Sequence, residues 1–202
     1  MRYTGPKVKK ARRLGMAFTA KDAKVMQRRP GAPGVHGQNR VRLSEYGQQL
    51  KEKQKAKMAY GVTERQFENY FKKALTKPGV TGDILLSMLE LRLDNVVFRL
   101  GFARTRAQAR QLVNHGFFEV NGKRVDIPSY SCKIADVVTV RAGKSKSGYI
   151  EQVKPELKTF QTQEWLELNE PKLSGKILSM PNPEIIGNVI ATQLIVEHYS
   201  RT

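Results

Sequence analysis

Apolar residues recur at helical spacing through the middle of the chain and then give way to alternation. Ser44 stands as an N-cap for a predicted helix over 45–59, where Tyr46, Leu50 and Met58 form a thin apolar seam and Lys51, Lys53, Lys55 and Lys57 wrap the rest. Thr63 and Gln66 have capping-box spacing and open a second helix to about 75, with Phe67, Tyr70, Phe71 and Ala74 on one face; aromatic residues at this spacing predict core. Leu85, Leu89, Leu93, Val96 and Leu100 repeat at three and four and predict one helix over 83–100, stopped by Gly101. Thr105 and Gln108 form another capping box, and the helix over 106–114 turns Ala109, Leu112 and Val113 inward. Arg106, Arg110 and Asn114 share a neighbouring row, four residues apart, and Gly116 ends the helix.

Past Gly116 the pattern changes. FFEV and KRVDI flank Asn121-Gly122, a pair that predicts a type I′ hairpin. VVTVR at 137–141 reads as a further strand, and GKSKSG at 143–148 as a flexible basic loop. Strand-like pieces recur at 149–153, 165–168 and 173–178. Pro181 and Pro183 mark a linker, and the segment from Asn188 to Tyr199 suits a helix with Ile190, Leu194 and Ile195 on its apolar side. Residues 1–43 lack either period. Lys7, Lys9, Lys10, Arg12 and Arg13 form one basic cluster there, and Arg28 and Arg29 a second, just before PGAPGVHG. The expectation is an extended arm that orders on its partner; the plainer alternative is a tail that adds only non-specific attraction.

Charge sharpens this picture. The chain has 202 residues, a formal net charge of +18 and 40% hydrophobic residues, so it can bury a core and calls for a polyanion such as RNA or DNA. Residues 1–60 hold 16 Lys or Arg against 3 acids, 61–150 hold 15 against 8, and 151–202 hold 5 against 7. The N-terminal third is therefore the expected main polyanion contact, and the last quarter is better suited to meet protein. A membrane is the weaker reading, because no apolar run reaches the ~18 residues of a spanning helix. No apolar stretch follows the basic residues 7–13, so no signal peptide is expected. Cys132 is the one cysteine, which excludes an internal disulfide and a thiolate metal cluster and suggests a reducing compartment.

The densest information lies in RLDNVVFRLGFARTRAQARQLVNHGFFEVNGKRVDIPSYSCKIADVVTVR, residues 92–141. This helix–turn–helix–hairpin block resembles the αL RNA-binding motif. Together with the basic arm, RLSEYGQQLKEKQKAKMAYGVTERQF and the C-terminal QLIVEHYSR, it resembles bacterial-type small-subunit ribosomal protein four over nearly the whole chain. The resemblance implies an α+β protein with a basic N-terminal arm over 1–43. A helical domain over 44–90, completed by a C-terminal helix within 178–202, and an α/β domain over 91–177 would follow. The latter would carry the αL motif, 92–154, on a small antiparallel sheet. It implies a structural, non-enzymatic binder of 16S ribosomal RNA that nucleates assembly of the small-subunit body. It also implies contact with messenger RNA where it enters the subunit, contact with small-subunit ribosomal protein five, and an influence on decoding accuracy. The location implied is the cytoplasm or a bacterial-type organelle. Arg40 and Arg42 match the positions attributed to messenger contact in that family. Many members carry a zinc-binding cysteine cluster in the arm; this sequence has none there and fits the metal-free variants.

Physical chemistry supports the same surface. A-form RNA hides its base edges, so proteins read junction shape, phosphates and 2′-hydroxyls, and the planar guanidinium fork suits paired phosphate oxygens. The expected RNA contacts on this block are Arg104, Arg106, Arg110, Asn114, His115, Lys123 and Arg124, joined by Lys51 and Lys55 and the arm cations already named. The αL module also occurs in pseudouridine synthases, whose aspartate motif Arg92-Leu93-Asp94 resembles, and in stalled-ribosome factors. The synthases need a separate catalytic domain after the module, and Asp94 lies inside it, where local capping or pairing is expected. Gly143-Lys144-Ser145 lacks the glycine a phosphate loop needs at 138, where Val138 stands. His36, His115 and His198 are dispersed without metal-ligand spacing, and nothing assembles a nucleophile, a base and an orienting group, so no metal, cofactor, small-molecule substrate or catalytic residue is expected.

Overall fold

The computed structural model describes residues 3–39, 42–182 and 190–201. Two units divide the chain: residues 1–84 with 184–202, and residues 85–183. Among the described residues the first unit is helical and the second carries a five-stranded antiparallel sheet, an α+β composition.

In the first unit, α1 (Lys7–Leu14) and α2 (Ala20–Arg28) occupy the segment expected to be an extended arm. The sequence holds the reason. Ala11 and Leu14 are buried at i and i+3, Gly15 closes α1 in the left-handed conformation, and Thr19 accepts from the Asp22 N–H at the start of α2. The Arg12 guanidinium then ties down the Pro/Gly stretch, donating to the carbonyls of Arg29 (3.1 Å) and Gly31 (3.0 Å). Helices α3 (Glu45–Tyr60) and α4 (Glu64–Leu75) start at Ser44 and at the reciprocal Thr63–Gln66 capping box. The last helix, α9 (Thr192–Ser200), packs along α3; Tyr199 stacks on Phe71 with ring centroids 4.5 Å apart, and Gln49 donates to Glu197 at 3.0 Å. Part of the expected C-terminal helix, including Asn188, lies outside the described residues.

The second unit begins within α5 (Thr81–Glu90). The expected helix over 83–100 is two helices: α5 ends at Glu90, Arg92 is extended, and α6 (Leu93–Arg99) follows. The leucine repeat runs through the break because both helices bury it. A loop holds the break open, with Leu93 N–H donating to Tyr130 O (2.9 Å), Asp94 N–H to Pro128 O (3.2 Å) and Cys132 N–H to Leu91 O (2.8 Å). After α7 (Arg106–Asn114), strands β1 (Phe118–Val120) and β2 (Lys123–Arg124) form the hairpin. Asn121 and Gly122 both take positive φ, 51° and 76°, as a type I′ turn requires. The sheet is completed by β3 (Val137–Val140), β4 (Leu166–Asn169) and β5 (Ser174–Ile177), in the order β2-β1-β3-β5-β4.

The strand expected at 149–153 is instead helical, part of α8 (Gly148–Lys158). Ser147 caps it through the Ile150 N–H, and Ile150, Val153 and Leu157 face the core at i, i+3 and i+7. The basic stretch at 143–148 is partly ordered, since Ala142–Lys144 makes a 3₁₀ turn. The core of this unit joins Leu93, Val96, Leu100, Val113, Phe118, Val138 and Ile177. Cys132 belongs to it; burial and then the charges of Asp136 and Asp94 push its thiol up to about 12, so it packs as a neutral side chain.

Two outcomes test this packing. Gly175 sits in β5 where a methyl group would come within 2.3 Å of Leu100. Gly175→Ala is therefore expected to cost about 1–3 kcal/mol in chemical denaturation, and an unchanged midpoint contradicts it. In the first unit, burial raises the Glu64 carboxyl, but hydrogen bonds from Lys53 and Lys57 and their charges outweigh it and hold it at about 2, below the ordinary 4.5. A depressed folded value gives stability that is present above pH 4.5 and lost as pH falls toward 2. Glu64→Gln is expected to lower stability at neutral pH and flatten the acid limb; an acid profile matching the parent contradicts it.

Candidate nucleic-acid interface

The break between α5 and α6 turns Arg92 inward. Its guanidinium is buried and forks onto Asp94, Nε to Oδ1 at 3.0 Å and Nη2 to Oδ2 at 2.7 Å. Asp94 thus pairs locally, and Arg110 from α7 approaches the same carboxylate at 4.0 Å. A second cluster forms around Glu90, whose side chain is 0% exposed. Arg99 forks onto it, Nε to Oε2 at 2.9 Å and Nη2 to Oε1 at 2.8 Å. Asn95 Nδ2 donates to Glu90 Oε2 at 2.6 Å, while Asn95 Oδ1 accepts from Arg106 Nε at 2.7 Å. Arg106 lies over the Phe98 ring, 4.7 Å from its centroid, with Nη2 3.8 Å from Glu90.

Four arginines thus surround two carboxylates. The imbalance is positive, and it faces outward, because Arg99, Arg106 and Arg110 keep 22%, 22% and 20% of their side chains exposed while Arg92 is sealed. In a partly desolvated site these ion pairs act at a lower effective dielectric than in water, so they hold the guanidinium planes strongly. Such a surface presents oriented cations to a polyanion without ordering them on arrival.

The other expected contacts fall around this cluster. Thr105 caps α7 by accepting from Gln108 N–H (3.2 Å), but Gln108 Oε1 reaches back to Arg104 N–H (3.0 Å), so the capping box is only half formed. Arg104 is exposed and pairs with Glu156, whose carboxyl is held below its ordinary value by that hydrogen bond. Asn114 and His115 are exposed at the C-terminal end of α7. Gly116 has φ +64°, and a methyl group there would meet the Arg124 guanidinium at 2.8 Å, so a bare backbone lets Arg124 lie across the turn. Arg124 pairs with Asp126 at 3.3 Å, and Lys123 is exposed.

In the first unit, Lys7, Lys9, Arg13, Arg28, Arg29 and Arg42 are exposed. Lys10 sits 3.5 Å from the Tyr3 ring centroid, Arg12 is spent on the loop carbonyls, Lys51 is half-buried and Lys55 pairs with Glu52. Arg40 lies outside the described residues. Sequence reasoning missed Arg99, Asn95, Phe98 and Glu90. It also missed Arg141, which donates to Gly116 O at 3.3 Å, and Lys144, 5.3 Å from the Phe117 ring. The spacing of Glu90, Asn95 and Arg99 was the available signal, hidden by the assumption of one continuous helix.

A helix pair and hairpin that hold guanidinium in excess of carboxylate define a module built to bind polyanions. Comparison with known proteins shows the family. Residues 2–90 match the family described as ribosomal protein S4/S9 N-terminal domain, and residues 91–138 match the S4 domain. The chain is 50% identical over 204 residues to small ribosomal subunit protein uS4 of Chloroflexus aurantiacus, covering 99% of both chains. It is 50% identical over 207 residues to that of Thermoanaerobacter pseudethanolicus and 48% over 202 to that of Akkermansia muciniphila, again with 99% of each chain covered. The chain belongs to the uS4 family of small ribosomal subunit proteins.

Arginines in this network also serve the fold. Arg106→Ala strips Asn95 of a buried donor and is expected to cost about 1–3 kcal/mol. Lys123→Ala is expected to change stability by no more than about 0.5 kcal/mol. Thermal and chemical denaturation of the two variants checks this, and equal stabilities would contradict the packed role of Arg106.

Proposed function

We infer that the protein is a structural, RNA-binding constituent of the small ribosomal subunit, working in the cytoplasm by binding and not by catalysis. The observation that carries this reading is the pair of carboxylates, Glu90 and Asp94, that hold Arg92, Arg99 of α6 and Arg106 and Arg110 of α7 at the start of a domain of the S4 class. Its relatives bear the name of small-subunit proteins over their full length.

The finer reading is a primary binder of 16S ribosomal RNA that seats early at a junction of helices and nucleates the subunit body. In it, the fixed arginines of α6 and α7 meet phosphates and 2′-hydroxyls, while Lys123, Arg124, Arg104, Asn114 and His115 extend that contact. The exposed cations of α1 and α2, with Lys51 and Lys55, add contacts from the first unit. Arg40 and Arg42 meet messenger RNA where it enters the subunit. Contact with ribosomal protein five, and through it an effect on decoding accuracy, completes the proposal.

Affinity for small-subunit ribosomal RNA should fall steeply with salt. If ~6–10 phosphates are neutralised, the fall is about 10³–10⁵ between 50 and 200 mM salt. Filter binding with footprinting measures both strength and place. A flat salt response, or protection spread evenly along the RNA, overturns the reading.

A further inference from the structure

Glu90 is the last residue of α5, and the S4-domain match starts one residue later, at 91. The carboxylate that organises the arginines therefore comes from outside the stretch that matches the RNA-binding domain. It is fully buried, and both oxygens are engaged: Oε1 by Arg99 at 2.8 Å, and Oε2 by Arg99 at 2.9 Å and Asn95 at 2.6 Å. Asn95 also donates to the Glu90 backbone carbonyl at 2.9 Å, which fixes its amide so that Oδ1 faces Arg106 Nε at 2.7 Å. Phe98 stacks under Arg106 and lies 6.0 Å from Arg99.

We propose that Glu90 is a positioning residue for RNA recognition: it fixes Arg99 directly and Arg106 through Asn95, and so sets the separation of two guanidinium groups that read a folded RNA. The proposal rests on the RNA-binding reading above. Its consequence runs against simple Coulomb expectation. Removing a negative charge from a chain of net +18 should tighten its grip on any polyanion. A positioning role demands the opposite for a folded target, because arginines released from Glu90 must be ordered when the RNA arrives.

The test uses the full-length protein carrying Glu90→Gln, which keeps shape and removes charge. Its Kd is measured for a folded domain of 16S ribosomal RNA that the parent protein protects in footprinting and for a plain RNA duplex of equal length. The folded-domain Kd is expected to rise about tenfold or more, on the scale of one charge-assisted contact, while the duplex Kd stays level or falls. In the Glu90→Gln background, Arg106→Lys should add less than it costs alone, because both act on one contact. Full additivity overturns the route through Arg106. If circular dichroism shows Glu90→Gln unfolded, Glu90→Asp retains the charge but retracts it by one methylene; a lowered ratio of folded-domain to duplex affinity supports the proposal, and an unchanged ratio overturns it. A parent that binds both RNAs equally overturns RNA recognition itself. A discriminating parent with an unchanged Glu90→Gln ratio overturns the positioning role alone.

Discussion

Glu90 and Asp94 are buried carboxylates in a strongly basic protein, and their ion pairs with Arg92, Arg99, Arg106 and Arg110 set the geometry of the guanidinium groups at α6 and α7. A long arginine side chain loses about 2 kcal/mol of rotamer entropy when fixed. Here that loss is taken during folding, in exchange for forked hydrogen bonds in a partly desolvated site. The break at Arg92 makes this arrangement possible. Residues two apart on a continuous helix point in different directions, so Arg92 could not fork onto Asp94 there; an extended residue before α6 lets it fold back onto that carboxylate while the loop at 128–132 satisfies the exposed N–H groups.

The cations divide by the way they are held. Lys123, Lys7, Lys9, Arg13, Arg28 and Arg29 are exposed, and in the proposed reading they follow phosphates and supply attraction that salt screens. Arg99 and Arg106 are locked by carboxylate, amide and ring, and in the same reading they meet only a target whose phosphates already stand in the right places. The first kind gives reach and the second gives selection, which suits a protein whose partner is a folded RNA.

Much of this was legible in the sequence, for local reasons. Thr63 and Gln66, Ser44, and Asn121-Gly122 each encode their geometry within four residues, and the structure forms a helix start or turn at each. The row of Arg106 and Arg110 was legible as basic, but not as fixed. Their partners come from α5 and α6, and an acid at a helix end reads as an ordinary surface charge until the neighbouring helix is folded over it. Segment 149–153 was misread because Tyr149, Ile150 and Val153 carry strand-like residues; only the longer period through Leu157 reveals α8. The basic N-terminus was misread for a related reason. Its charge concealed two short helices whose caps, Gly15 and Thr19, stood in plain sequence.

The central claim is that the arginine geometry exists before RNA arrives. Nitrogen-resolved NMR of arginine Nε–Hε groups in the RNA-free protein tests it most directly. With the geometry preset, Arg92, Arg99 and Arg106 give sharp, dispersed signals with slowed solvent exchange, set apart from those of Arg13, Arg28 and Arg29. Signals for Arg99 and Arg106 that coincide with the exposed arginines and exchange as fast would contradict it.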